Sequence, residues 1–173
     1  MFGRSDTFRP AVPADASGIA HVHIRAWKEA YSGVIPHDYL ERLSLETKTE
    51  WWRNALLAEE TNVIVAIKDD QIIGWISFGS SRDEDTVGAA EVYAIYILPD
   101  YWRRGIGSDL LKAAEPSFGG FSSIVLWVLA ENKRALAFYR DHGFEPDGAT
   151  KQIEVGGAHL REIRLRRLGP KAS

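Results

Sequence analysis

The chain has 173 residues, enough for one core of ordinary size, and its 45% apolar, 11% aromatic and 26% charged side chains are those of a folded protein rather than a disordered or fibrous one. Its 24 acidic and 21 basic residues leave a formal charge of −3, so no global field holds a nucleic-acid backbone or an anionic membrane, and any basic role is local. The absence of cysteine excludes disulfides, thiolate metal sites and a cysteine nucleophile. No apolar run approaches the length of a membrane span and no apolar leader opens the chain, so a cytoplasmic protein without a membrane partner is expected. His21 and His23 stand two apart on a predicted helix and point in different directions, so no metal site is expected.

In chain order, residues 1–7 are expected as a flexible tail and residues 8–12 as a short first strand. Pro13-Ala14-Asp15 reads as a helix start, and Ile19, Val22, Ala26, Trp27 and Ala30 recur at helical spacing up to Gly33. Pro36 breaks the path, and a second helix over residues 44–59 carries Trp51, Ala55 and Leu56 on one side with Trp52 beside them. Residues 62–68 and 71–78 are β-rich runs joined at Asp69-Asp70, a hairpin signal weakened by the lack of glycine. A polar loop follows, whose Asp83-Glu84-Asp85 run reads as a solvated turn. Residues 91–98 are apolar on both faces, as suits a central strand covered on both sides. Residues 108–115 form a helix ended by Pro116, 123–129 a buried strand, 132–142 a helix closed by Gly143, and 151–155 with 160–165 a closing hairpin. The order β α α β β β α β α β β describes a mixed α/β sandwich, expected as a single domain over residues 1–173.

Residues 99–108, PDYWRRGIGS, join the central strand to its helix. A strand that runs through glycines into a helix N-terminus leaves several backbone N–H groups aimed at one point, where the helix dipole also favours negative charge. A phosphate fits there: Gly105 and Gly107 admit oxygens close to the main chain, and Arg103 and Arg104 add charge at the rim. The competing reading is a tight turn with solvated arginines. Two rival phosphate motifs fail, since G-x-x-x-x-G-K-[ST] is absent and Leu110 stands where the dinucleotide fingerprint needs its third glycine.

Residues 132–144 read N-x-x-A-x-x-F-Y-x-x-x-G-F. Together with I-x-P-x-x-W-R-R-G-I-G at 97–107, in this order and separated by one helix and one strand, the pattern resembles the GCN5-related N-acetyltransferase (GNAT) superfamily. The resemblance is clear over residues 91–144, and W-K-E-A-Y at 27–31 with P-x-x-Y-L at 36–40 looks like a bacterial, small-molecule-type subgroup. It implies a mixed, mostly antiparallel central sheet that splays between two parallel strands, with helices on both faces. It implies acetyl-CoA as cosubstrate, lying where the strands containing Ile95 and Leu126 part. The pantetheine arm then pairs with the main chain of Ile95 and Ile97. The pyrophosphate rests on the N–H groups of Arg103, Arg104, Gly105, Ile106, Gly107 and Ser108. Asn132 maps to a side chain that hydrogen-bonds the cofactor, with helix N-capping as the alternative. One residue departs from the pattern: Trp102 stands three before the first glycine, where the family places glutamine or arginine. Pairs are common in the family, and the C-terminal hairpin offers an edge for a homodimer.

Acetyl transfer to an amine needs a neutral amine, a stabilised oxyanion in the tetrahedral intermediate and a proton for the departing thiolate. The resemblance assigns the thiolate's proton to Tyr139 and the oxyanion to the N–H of Ile95; a plain core aromatic is the alternative for Tyr139. Glu91, fourteen residues before Gly105, is the candidate base, against the alternative of a structural carboxylate at a strand start. Tyr93 on the same strand face and His23 on the first helix are further candidates. Relatives that acetylate a ribosomal N-terminal alanine carry glutamate five residues before the motif asparagine, a position held here by Trp127. Trp27, Tyr31, Tyr39, Trp51, Trp52 and Trp75 would wall a pocket for a small amine, unless most of them are core. The expected function is acetyl transfer from acetyl-CoA to the primary amine of a small molecule. A protein acetyltransferase and a non-catalytic acyl-CoA sensor are the alternatives.

Overall fold

The computed structural model describes residues 6–58 and 61–170. Residues 1–5 of the expected tail and Glu59 of the expected second helix lie outside them, whereas Thr7, expected in the tail, opens the first strand. The strands are β1 (Thr7–Pro10), β2 (Asn62–Lys68), β3 (Gln71–Ser80), β4 (Ala90–Ile97), β5 (Ser123–Leu129), β6 (Glu145–Val155) and β7 (Ala158–Leu168). The helices are α1 (Ala16–Ala30), α2 (His37–Glu41), α3 (Leu45–Leu57), α4 (Ile106–Ala114) and α5 (Lys133–Asp141). One sheet runs in the order β1-β2-β3-β4-β5-β7-β6, antiparallel at every pairing except the parallel β4–β5 pair. Helices cover both faces, as expected.

Local chemistry sets the element ends. The Ser44 hydroxyl accepts the Thr47 N–H at 3.3 Å and starts α3. Asp69 and Asp70 take φ of 48° and 62°, so the β2–β3 hairpin turns without glycine by using a residue type that tolerates the left-handed region. The five-residue α2 went unseen because it is too short to show a period.

The core lies between the sheet and its helices. α1 buries Ile19, Ala20, Val22 and Ala26, and the indole N–H of Trp75 on β3 donates to the Ile19 carbonyl at 3.1 Å. α4 buries Leu110, Leu111 and Ala114, while Phe78 on β3 meets Phe118 just beyond that helix, with ring centroids 5.4 Å apart.

His23 is packed among Trp27, Trp52, Trp75 and Tyr96, and its Nδ1 accepts the Trp52 indole N–H at 3.3 Å. Burial, and then the charge of Lys48, lowers its pKa to about 3, so the ring is neutral at physiological pH. The unfolded chain binds this proton near pH 6.5 and the native chain does not. The stabilisation is therefore complete above pH 6.5 and is lost on acidification, by at most about 1.4 kcal/mol per pH unit. Denaturant titrations between pH 7 and 4 are expected to show a shallower acid slope in His23→Gln than in the parent.

Candidate active site

β4 and β5 share only the register pairs Ala90–Ile124 and Glu91–Val125; beyond these β4 continues along β3 to Ile97 while β5 follows β7. The sheet therefore opens into a V. The N–H of Leu98 donates to the Ile73 carbonyl at 2.8 Å, and paired and unpaired residues alternate along an antiparallel strand. Ile95 and Ile97 thus turn their main-chain N–H and C=O away from β3, into the opening. A cleft of about 460 Å³ fills it, bordered by Ile95, Ile97, Trp102, Arg103, the start of α4, and Asn132, Arg134 and Tyr139 of the α5 segment.

Gly105 is the N-cap of α4 at φ 86°, a conformation that favours glycine. The first helical bond runs from the Asp109 N–H to the Gly105 carbonyl at 3.0 Å, which leaves the N–H groups of Ile106, Gly107 and Ser108 outside the helix ladder. Gly107 also has a packing reason to be bare. A Cβ there would stand 3.2 Å from Ile97 Cδ1 and 3.2 Å from the Phe138 ring, so its lack of a side chain lets α4 approach β4 and α5 closely. Arg104 departs from expectation: it does not border the cleft, and its guanidinium lies 5.5 Å from the Tyr101 ring centroid.

Asn132 caps α5 by accepting the Ala135 N–H on Oδ1 at 3.1 Å, and its side chain also faces the Tyr31 hydroxyl beside the cleft. Ser108 sits 3.0 Å from His142 Nε2, whose Nδ1 lies 2.7 Å from the Phe138 carbonyl. Because a carbonyl only accepts, Nδ1 carries a proton toward the Phe138 carbonyl, and Nε2 pairs with the Ser108 hydroxyl.

Three phenols gather at the cleft. The Tyr31 and Tyr96 hydroxyls are 3.5 Å apart, and Tyr139, 8% exposed, feels the charge of Tyr31. Burial in the first place, then these neighbours, raises the pKa of Tyr139 and Tyr96 well above that of a free phenol, and burial raises Tyr31 as well. All three are proton donors at neutral pH. Tyr96 was hidden in the apolar run of β4, and its alternation with Ile95 and Ile97 was the signal that could have found it.

Glu91 lies at the closed end of the V, 2% exposed, and does not border the cleft. Arg82 holds it, through its N–H to Oε2 at 2.9 Å and its Nη2 to Oε1 at 2.6 Å. The Arg82 guanidinium in turn lies over the Tyr93 ring at 4.2 Å, and the Tyr93 hydroxyl donates to the Ser80 carbonyl at 2.8 Å. The acidic run expected as a solvated turn is instead pinned: Arg164, 5% exposed, binds Asp83, Asp85 and Asp147, and the Trp127 indole donates to Asp83 at 2.8 Å. Of the six aromatics expected around an acceptor, Tyr31 borders the cleft, Trp52 and Trp75 are core, and Trp51 is 56% exposed. Trp27 and Tyr39 pack on a smaller cluster built around Ile35, Leu40, Leu129 and Leu160.

The acetyltransferase (GNAT) family matches residues 23–144 of this chain. The N-acetyltransferase YuaI of Bacillus subtilis is 35% identical over 92% of this chain and 91% of its own length. The spermidine N(1)-acetyltransferase of Thermoplasma acidophilum is 26% identical over 76% of this chain and 83% of its own. The crystal structure of PaiA N-acetyltransferase from Thermoplasma acidophilum in complex with coenzyme A shares the fold, with a TM-score of 0.69 at 23% identity over 91% of this chain and 98% of that one. With its split sheet and its glycine-led α4, the chain belongs to the GNAT family and is an acetyl-CoA-dependent N-acetyltransferase.

Proposed function

We propose that the protein transfers the acetyl group of acetyl-CoA to the primary amine of a small molecule, by direct attack of the neutral amine on the thioester through a tetrahedral intermediate. One observation carries this reading: the stretch of β4 that no strand pairs on the side away from β3, the free N–H groups at the start of α4 and three protonated phenols all border the same cleft. The edge suits an extended, amide-containing arm, and the N–H groups with Arg103 suit a diphosphate. Acetyl-CoA supplies the activated acyl group, and this chain supplies position and protons.

In this proposal the N–H of Ile95, turned into the V, donates to the acyl oxygen as negative charge develops on it. Tyr139, kept protonated by burial, donates to the departing sulfur. Glu91 takes the proton of the amine through water. Arg82 occupies both of its oxygens in the resting structure, so that guanidinium has to move first; its side chain is 65% exposed and has room to do so. Glu91→Gln is expected to lower kcat by about 10²-fold or more at neutral pH with little change in coenzyme A affinity. Steady-state kinetics paired with a thermal melt checks this, since a purely structural carboxylate would alter the melt and leave kcat nearly unchanged.

A small acceptor is favoured by the spermidine-acetylating relative and by Trp127, whose indole N–H is committed to Asp83 where ribosomal-protein enzymes carry a carboxylate. The test is thiol release from acetyl-CoA across polyamines, amino acids and peptides. Turnover of a small amine supports the proposal. Turnover of peptides alone reassigns the enzyme to protein acetylation, and coenzyme A binding without thiol release from any acceptor marks a sensor.

A further inference from the structure

Trp102 stands where the family places a polar or charged side chain, yet it is firmly held in the cleft wall. Its indole N–H donates to the Ile97 carbonyl at 2.8 Å, which also caps one acceptor on the free edge of β4. Across the opening, Arg134 of α5 lays its guanidinium on this indole, 3.3 Å from the ring centroid. Both residues border the cleft together with Arg103 and the Gly105–Ser108 backbone. Among the described residues Arg134 forms no ion pair within 4.0 Å; it is partly desolvated, and Tyr31 and Glu29 favour its charge while Arg103 opposes it. A guanidinium fixed by its face keeps its in-plane N–H donors available, and a cation in these surroundings is stabilised by an anion.

We propose that Arg134, seated on Trp102, is a phosphate-binding arm that closes the cofactor's diphosphate site from the α5 side and stands in for the polar residue missing at position 102. The α4 backbone then grips the diphosphate from one wall and a side chain grips it from the other. This assignment rests on the acetyl-CoA reading above. Trp102 is a positioning residue: it touches no phosphate and sets the plane of the group that does.

The test is calorimetric binding of coenzyme A, dephospho-coenzyme A and pantetheine to the parent, Arg134→Gln, Arg134→Lys, Trp102→Leu and the double variant Trp102→Leu/Arg134→Gln. Arg134→Gln is expected to weaken coenzyme A and dephospho-coenzyme A alike, by about 10- to 100-fold, and to leave pantetheine unchanged. Arg134→Lys should recover only part of the loss, because lysine cannot present a paired fork. Trp102→Leu should weaken the two nucleotides, and the double variant should lose little more than Arg134→Gln alone, as expected for residues acting as a unit. Parent-like affinity in Arg134→Gln overturns the assignment. A loss confined to coenzyme A, with dephospho-coenzyme A unaffected, also overturns it by moving Arg134 to the 3′-phosphate. A parent protein that binds no coenzyme A sinks the cofactor reading instead, and this inference with it.

Discussion

Tyr139→Phe is expected to cut kcat by about 10²- to 10⁴-fold while leaving coenzyme A affinity within about twofold, the pattern of a group that acts only as charge develops on the leaving atom. The substitution removes a single oxygen from a side chain that is 8% exposed and packed edge-on against Phe138 and Phe144, so the ring contacts survive. Desolvation keeps the phenol protonated far beyond neutral pH, which makes it a donor throughout the working range and a poor base. Rapid-quench measurement of the acyl-transfer step, set beside calorimetric binding, separates chemistry from affinity. An unchanged single-turnover rate would remove Tyr139 from proton transfer and pass the thiolate to Tyr31 or Tyr96, the other hydroxyls at the cleft.

Gly107→Val is expected to weaken coenzyme A by more than about 100-fold. The Cβ alone sits 3.2 Å from Ile97 Cδ1 and from the Phe138 ring, a distance that flexible side-chain ends can relieve, so Gly107→Ala should bind within about tenfold of the parent. Valine adds two further carbons, which must crowd Ile97 and Phe138 further or enter the cleft that Gly107 borders. Where they crowd, the first turn of α4 has to lift from β4, and its free N–H groups move with it. Overpacking of this kind costs about 1–3 kcal/mol of stability, so a lowered but cooperative melt should accompany the lost binding. Calorimetry on the two variants side by side gives the answer, and a valine variant that binds like the parent would place the diphosphate somewhere other than α4.

The sequence carried the order of strands and helices because most elements are long enough to express a period, and the glycine loop and Tyr139 because their motifs are local. What it could not carry was direction and distance. Two glycines look alike in a string, yet Gly105 is demanded by a positive φ and Gly107 by neighbours on another strand and another helix. Asp83-Glu84-Asp85 reads as surface because its partner Arg164 follows Asp85 by 79 residues, and a charge run does not reveal a cation so far along the chain. Glu91 sat at the right spacing for a base, while the arginine that occupies it is nine residues away across a hairpin. The Trp102–Arg134 stack likewise exists only once α5 crosses the cleft.

The two-residue seam between β4 and β5 has a mechanical consequence. Four strands lie on one side of it and three on the other, so two leaves of the sheet are joined by a short seam. In the proposed binding mode an extended guest in the V would lie along β4 as an added strand where β5 has turned away. Loading the cosubstrate and stiffening the protein are, on this reading, one event.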